Sequence, residues 1–469
     1  MVIQLFRKLY VPDLMVKDEL KKGEMPSAGK AFRNGYGVAF PAIMETFFIA
    51  LIHMVNTIMV SVMGEGAIAA VGIVGQPLFI VQTLVLSLNA SITAIAARRR
   101  GEGDSGGAAS CLKQGLILSL LFSVSLASVA YPLAHLFLSF TGAGNDIIDM
   151  SAEYFRILLM GVPITGLSMT ISAAQRGMGN TRASMRINLV ASIVTIMFNY
   201  LLIGGNLGFP RLGVAGAGFA TLAGWSAGLL LAVASVSHRG HFLYLFTRDG
   251  WKFEKRTLSA MYTVASGAFL EQICMRVGFF MYTRIVAGLG TMMFAAHLIL
   301  MNMISLSFAF GEGFGISAST LVGQNLGAKR PDLSILYGKI CQRMSVLTSA
   351  AIFLTFTLFG ERIVLLFTGE PEIIEVSRSI LIIMGIIIFG QASQLIYMGS
   401  LRGAGDTRYV ALISLLSIMI LRPISAYVLI YPLGFGLAGA WLSFLIDQYL
   451  RLVLTLKRFS SGKWMGIKL

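Results

Sequence analysis

Long apolar runs alternate with short polar connections along almost the whole chain. Each run holds about 20 or more residues, the length that an α-helix needs to cross a hydrocarbon core of about 30 Å. The runs are solid rather than alternating with polar residues, so they predict helices and not strands. The pattern predicts twelve membrane-spanning helices: 36–60, 68–95, 112–134, 152–173, 186–205, 212–236, 260–287, 292–321, 337–359, 379–400, 409–430 and 434–456.

Basic residues concentrate in every second connection. By the positive-inside rule these connections and both termini are predicted to face the cytoplasm, which requires an even number of spans. The remaining connections carry almost no Lys or Arg apart from Arg211. The basic residues of the cytoplasmic set include Arg98, Arg99, Arg100, Arg176, Arg182, Arg186, Arg239, Arg248, Lys329, Arg330, Arg402, Arg408, Lys457 and Arg458.

Composition agrees with a polytopic membrane protein. Hydrophobic residues make up 56% of the 469 residues and charged residues only 13%, against roughly a quarter charged in soluble proteins. The formal charge of +15 follows the predicted topology, so we expect no nucleic-acid partner. Residues 1–35 lack the apolar segment of a signal peptide, and three cysteines without metal-ligand spacing predict no disulfide framework.

The chain repeats itself at an offset of 226 residues. RGMGNTR at 176–182 returns as RGAGDTR at 402–408, and Glu45 matches Glu271 in the same register. After a three-residue deletion, GVAGAG at 213–218 matches GLAGAW at 436–441. Each copy has six spans, so the fold class is an all-α membrane protein of two six-helix bundles, related by a pseudo-twofold axis along the membrane normal. The predicted divisions are an N-terminal tail 1–35, an N-lobe 36–236, a cytoplasmic linker 237–259, a C-lobe 260–456 and a C-terminal tail 457–469.

Each RGxGxT segment follows the fourth span of its half and predicts a cytoplasmic corner. Arg176 and Arg402 are expected to anchor the corner at the interface, since basic residues favour the cytoplasmic side. The glycines allow a tight turn, and Thr181 and Thr407 are expected to cap the next helix.

Two like-facing helical bundles predict a cleft that opens alternately to either side of the membrane. No phosphate-binding GxxxxGK[ST] segment occurs, so we expect no ATP-driven transport. No His/Cys cluster suggests a cofactor, and no clustered catalytic set favours a membrane-embedded enzyme.

The repeated segments resemble the multidrug and toxic compound extrusion (MATE) family over about residues 36–456. The resemblance rests on RGMGNT, RGAGDT, LGVAGAG, FGLAGAW, TLVGQNLGAK and HMVNTIMVSVMG. It implies efflux of cationic amphipathic drugs in exchange for Na⁺ or H⁺, without a cofactor or a bound metal beyond a transported Na⁺.

The resemblance also assigns coupling residues one by one. Asn56 stands where the family often has Asp, and Asn199 matches a family Asn in span 5, but Ile203 replaces the Asp one turn later. Thr221 matches in span 6, Glu271 matches a span 7 Glu, and Gln391 stands where some members have Asp. The N-lobe carboxylate pair of the family is therefore absent.

Ionisable residues in apolar spans are functional candidates by default because their burial costs several kcal/mol. In span 1, Glu45 and Asn56 fall about 20° apart on a helical wheel at ~100° per residue, with His53 about 80° from Glu45. His53 is a candidate titrating group or an interior hydrogen-bonding residue. Glu45 is a candidate coupling site or caps a helix break near Pro41.

The second half holds a larger set of intramembrane charges. Glu271, Arg276, Glu312, Arg422 and Asp447 sum to −1, and the surplus carboxylate predicts binding of H⁺, Na⁺ or a cationic drug. Glu271 is a candidate for coupling or for structural ion pairing, and Asp447 is the expected partner of Arg276. Neutral candidates for the lining are Gln391, Gln394, Tyr282 and Tyr397.

The sequence thus predicts a monomeric secondary drug antiporter in the plasma (inner) membrane, surrounded by the lipid bilayer. A flippase of lipid-linked precursors is the alternative with the same architecture, and a membrane-embedded enzyme is the alternative from another class.

Overall fold

The computed structural model describes residues 10–141, 144, 146–238, 240, 242–246, 251–365, 367–467 and 469, without the side chains of 53, 54, 57 and 65. Throughout these residues the secondary structure is helical, and no strand occurs among them. Twelve of the described helices are long and apolar enough to cross a membrane, which confirms the predicted number of spans and the all-α class.

The twelve long helices follow one another along the chain, and a short helix, Ala134–Phe140, lies between the third and the fourth. In chain order they are α1 Ala28–Ser61, α2 Glu65–Glu102, α3 Ser105–Ala130, α4 Ile148–Gly177, α5 Thr181–Gly204, α6 Gly213–Val236, α7 Lys255–Ala287, α8 Thr291–Gly327, α9 Pro331–Leu365, α10 Pro371–Ala404, α11 Thr407–Ile430 and α12 Gly436–Ser460. Within α11, Leu415–Leu421 winds as a π-helix.

Several helices are longer than the apolar runs that predict them. α2 has 38 residues, about 57 Å at 1.5 Å per residue, almost twice the hydrocarbon thickness. α1 begins at Ala28, inside the predicted tail. The length of an apolar run reflects the thickness of the hydrocarbon core. The helical hydrogen bonds continue beyond that core, so hydropathy underestimates the length of the helix.

The two RGxGxT segments form the same corner. Gly179 and Gly405 adopt positive φ angles of 80° and 90°, a conformation that glycine adopts without steric cost. Their amides donate to Arg176 O and Arg402 O, as in a glycine-terminated helix. The predicted caps are wrong: Asn180 and Asp406 occupy the N-cap positions, so Thr181 and Thr407 are the first helical residues.

A second glycine of each motif permits close helix contact. A Cβ on Gly177 would lie 2.6 Å from the carbonyl oxygen of Thr93 in α2. A Cβ on Gly403 would likewise meet the carbonyl of Ser319 in α8. Both positions are related by the repeat, so each copy uses the arginine-glycine dipeptide to bring its fourth helix against its second.

Contacts divide the chain into two compact units. The first unit comprises Met44–Ala265, and the second comprises Met1–Ile43 with Ser266–Leu469. The first has its apolar core around Phe155 and Leu158. The second has two clusters, one around Tyr397 and one around Trp441.

The segment before α1 packs onto the second unit. Met15 and Val16 are buried in the cluster that contains Tyr397. The amide of Lys22 donates to Asp332 Oδ2 at 3.1 Å, and the same carboxylate pairs with Arg330 at 2.9 Å. The hydrogen bonds that Arg330 donates to the Asp332 carboxylate raise the pKa of Arg330. The predicted division into lobes, linker and tails remains a prediction.

Candidate functional site

Glu45 lies in the interior of the first unit, where three donors converge on one of its oxygens. Oε1 accepts from Arg176 Nη1 at 2.9 Å, from Ser184 Oγ at 2.7 Å and from Asn188 Nδ2 at 2.7 Å. The side chain is 3% exposed. Oε2 is buried without a hydrogen-bond partner among the described residues. One oxygen of this carboxylate is therefore saturated and the other is available to a proton or a cation.

Glu271 occupies the equivalent place in the second unit. Arg402 Nε donates to Glu271 Oε2 at 3.2 Å and Arg402 Nη2 donates to Oε1. The carboxylate is 2% exposed. This two-point geometry is the strongest form of an arginine–carboxylate pair. Both halves of the chain thus pair a carboxylate of their first helix with the arginine of their RGxGxT motif.

These pairs revise two predictions. The sequence predicts Arg176 and Arg402 as anchors at the interface, but each side chain forms an ion pair with a buried carboxylate. Glu45 does not cap a break at Pro41, because α1 continues through Pro41 as one helix. Leaving a buried carboxylate without a counter-charge costs more free energy than removing one cation from the membrane interface.

Asp447 lies at the centre of a second buried cluster. Its Oδ2 accepts from Arg422 Nε at 3.1 Å, from Arg422 Nη2, and from Arg451 Nη2 at 2.9 Å. The Arg422 guanidinium also lies 4.3 Å from the ring centroid of Phe444. The expected pairing of Asp447 with Arg276 is wrong, since α11 and not α7 supplies the arginine.

Electrostatic interactions connect the two clusters of the second unit. Arg402 also interacts with Glu312, and Arg451 also interacts with Glu271. Three carboxylates therefore face three arginines, a balanced set that we call the charge network: Glu271, Glu312, Asp447, Arg402, Arg422 and Arg451. The predicted surplus of one carboxylate is wrong because the prediction omitted Arg402 and Arg451. These two arginines change the predicted sum from −1 to +1 with Arg276 counted, and to zero for the charge network, which does not include Arg276. Arg276 in α7 is half-buried, and Glu312 in α8 is exposed.

Comparison with known proteins decides the family. The MatE family pattern matches residues 41–201 and 268–428, one match in each half of the chain. The chain belongs to the MatE family. The resemblance predicted from the RGxGxT and GxAGA segments is thus confirmed, and MatE membership makes the chain a membrane transporter rather than an enzyme.

Relatives of this MatE chain match it over nearly their whole length. A Thermotoga maritima protein named "Probable multidrug resistance protein NorM" is 28% identical over 459 residues, covering 96% of each chain. "Uncharacterized transporter YisQ" of Bacillus subtilis is 26% identical over 434 residues, covering 92% of this chain and 94% of that protein.

A solved structure shares the fold. It is described as the outward-facing conformation of a multidrug resistance MATE family transporter of the MOP superfamily, with a TM-score of 0.85 and 20% identity. The match covers 92% of this chain and 97% of that chain.

The other candidates in the first unit of this MatE chain form a neutral contact. Asn199 Nδ2 donates to Asn56 Oδ1 at 2.8 Å, and Asn199 Oδ1 has no partner among the described residues. Ile203 is buried one turn later. Thr221 donates to Ala217 O in its own helix. The side chain of His53 lies outside the described residues.

The neutral candidates in the second unit lie in the interior. Gln391 and Gln394 are fully buried. Tyr282 donates to Ala440 O at 3.1 Å, and the ring of Tyr397 packs against Phe459. These two tyrosines therefore contribute to packing in the described structure.

Sequence reasoning missed three polar partners. Ser184 and Asn188 hold Glu45 from α5, and no feature of the sequence alone pairs α1 with α5. Arg451 could have been found, because it stands four residues after Asp447 on the same helical face. An arginine inside an apolar span one turn from a carboxylate is a recognisable signal.

Proposed function

We propose that this MatE protein is a cation-coupled antiporter that exports cationic amphipathic drugs in exchange for H⁺ or Na⁺. The names of its relatives, which include multidrug resistance proteins, support a drug-export role. The observation that carries the coupling is the Glu271–Arg402 pair within a balanced charge network.

Charge balance gives the proposal its mechanism. A proton or Na⁺ at Glu271 changes the network from neutral to +1 and weakens the hold on Arg402. A cationic drug bound near the network adds a like charge. At about 8 Å and an effective dielectric of 20, two unit charges repel by roughly 2 kcal/mol, which is about a 30-fold loss of affinity. This magnitude falls in the usual range of coupling between two sites.

Glu45 is proposed as a second protonation site. Its unpartnered Oε2 can take a proton while Oε1 keeps its hydrogen bonds from Ser184 and Asn188. A neutral glutamic acid there removes the counter-charge of Arg176. The coupling ion then neutralises a carboxylate paired with a motif arginine in both halves.

The remaining parts of the proposal follow the topology. Both predicted lobes contribute to alternating access, and the basic connections with both termini face the cytoplasm of the inner membrane. The transporter acts as a monomer, and its substrates are small organic cations.

The proposal is tested in proteoliposomes with ethidium as the drug. An imposed H⁺ or Na⁺ gradient should drive ethidium flux, and added ethidium should dissipate the gradient. Glu271→Gln should abolish drug-stimulated cation movement while the protein still inserts. The variant removes the titrating charge but keeps a side chain of the same size.

Glu361→Gln is the matched control. Glu361 forms an exposed pair with Arg378 at the end of α9, so its variant should keep coupled transport. Normal coupled transport by Glu271→Gln would overturn the proposal, as would ethidium flux that depends on neither gradient. Translocation of a labelled lipid-linked precursor instead of ethidium would favour the flippase alternative.

A further inference from the structure

The second unit buries several polar atoms that no protein group satisfies. Gln391, Gln394 and Gln448 are fully buried, and both amide atoms of each lack a partner among the described residues. An unpartnered buried polar group costs roughly 1–3 kcal/mol. Buried amides in native proteins are almost always hydrogen-bonded, so this group of three indicates a ligand or bound water.

Two buried arginines of the same unit also retain free donors. Arg422 and Arg451 both donate to Asp447 Oδ2. Arg422 Nη1 and Arg451 Nε have no partner among the described residues, and neither has the acceptor Asp447 Oδ1. The side chains of Arg422, Arg451 and Asp447 together carry one net positive charge, and the three residues are only 0–4% exposed. Glu271 also interacts electrostatically with Arg451. Both carboxylate oxygens of Glu271, however, accept hydrogen bonds from Arg402.

The spacing on α12 brings these donors together. Phe444, Gln448 and Arg451 recur at intervals of four and three residues and so share one helical face. The Arg422 guanidinium lies 4.3 Å from the Phe444 ring centroid. Gln448 therefore lies one turn from Arg451 on the face of α12 that Arg422 contacts through Phe444.

Local backbone geometry supports a built site. The π-helical stretch Leu415–Leu421 ends directly before Arg422, and π-helical turns are frequent at functional sites. α10 approaches α12 where Tyr449 Oη donates to Ile386 O at 3.0 Å. Gly390 packs against the Tyr449 ring, so the neighbouring Gln391 belongs to the stretch of α10 that contacts α12.

We propose that Arg422, Gln448 and Arg451 bind a small monovalent anion of the size of chloride. The unpartnered groups of the two arginines are all donors, and the amide of Gln448 adds another. An anion accepts from all of them and cancels the local positive charge, which bound water cannot do. A cation is disfavoured by the two guanidiniums. The enclosed position excludes a larger organic anion.

Purified full-length protein in lipid nanodiscs provides the test. The thermal unfolding midpoint is measured as NaCl or NaBr replaces sodium gluconate at constant ionic strength. Ligand that binds only the folded state stabilises it, so the midpoint should rise saturably by about 2–5 °C. Crystals soaked in bromide should give an anomalous peak beside Gln448.

Gln448→Leu should abolish the halide-dependent rise of the unfolding midpoint, whatever the midpoint of this variant is in gluconate. Gln342→Leu is the matched control, since Gln342 is a buried glutamine of the same unit whose amide is hydrogen-bonded to Ser393 and Arg343. This variant should keep the halide response. Equal midpoints in chloride and gluconate, with no bromide peak, would overturn the proposal and leave water as the partner of the amides. Coupled drug transport is a separate readout on the same variants. Arg422 and Arg451 also belong to the charge network, so the halide response and not the transport rate decides whether the anion site exists.

Discussion

Glu45 and Glu271 occupy equivalent positions in the repeat, yet their carboxylates are held differently. Glu45 gathers Arg176, Ser184 and Asn188 on one oxygen, whereas Arg402 engages both oxygens of Glu271. The counterparts of Ser184 and Asn188 in the repeat are Val410 and Ser414. A proton can thus join Glu45 on an oxygen that no donor contacts, but at Glu271 it must join an oxygen that already accepts a hydrogen bond from Arg402. Loss of the negative charge at Glu271 therefore weakens the contacts with its arginine more than the same loss at Glu45.

The Glu45–Arg176 pair gives a prediction for stability at the residue scale. Arg176→Met should lower the free energy of unfolding by about 3 kcal/mol, because it leaves a buried carboxylate without its counter-charge. Adding Glu45→Gln removes that charge and should recover a large part of the loss. The measurement is the thermal unfolding midpoint of each variant in nanodiscs.

The single variant Glu45→Gln completes the double-mutant cycle. Its coupling energy with Arg176→Met measures the pair itself. If the double variant is as unstable as the sum of the two singles, the pair contributes nothing and the assignment of Arg176 to Glu45 fails.

Helix contacts at the element scale depend on the glycine that follows each motif arginine. Gly177→Ala places a methyl group against the backbone carbonyl of Thr93, and Gly403→Ala does so against Ser319. Backbone cannot move aside as a side-chain end can, so each variant should lose about 1–3 kcal/mol of stability. The unfolding midpoint of each variant should fall by several degrees.

Gly72→Ala is the control for helix glycines. Gly72 lies within α2 with no atom near its hypothetical Cβ, so alanine there should leave stability unchanged or raise it slightly. Tolerance of alanine at both Gly177 and Gly403 would show that close packing is not the reason for these two glycines.

The elements themselves could largely be predicted from the sequence, but their ends could not. Solid apolar runs and alternate basic connections suffice for twelve spans, because membrane thickness and charge asymmetry act on each segment separately. The beginning of α1 at Ala28 and the end of α2 at Glu102 depend on helix beyond the hydrocarbon core. Hydropathy contains no information about that part.

At the scale of the whole molecule, the candidate site was only half predictable. Intramembrane charge marks Glu45, Glu271, Arg422 and Asp447 as important one residue at a time. The partners of these residues depend on which helices become neighbours in the fold, and a single sequence does not contain that information. An arginine at position 402 can serve either to set the topology or to pair with a buried carboxylate. The sequence favours the topological role, because many other arginines mark the cytoplasmic side, whereas the structure shows an ion pair with Glu271.

Topology is the remaining prediction, and the native cysteines make it easy to test. Cys111, Cys274 and Cys341 are all buried, so a membrane-impermeant maleimide should give little background labelling of the wild-type protein. Gly369→Cys lies in a connection with acidic residues and without basic ones, whereas Ser461→Cys follows the basic end of α12. Both positions are exposed. Gly369→Cys should be labelled in intact cells, and Ser461→Cys only after permeabilisation, because the positive-inside rule places the two on opposite sides. Equal labelling of both in intact cells would contradict the cytoplasmic assignment of the C-terminus, and with it the direction in which the proposed antiporter exports its drug.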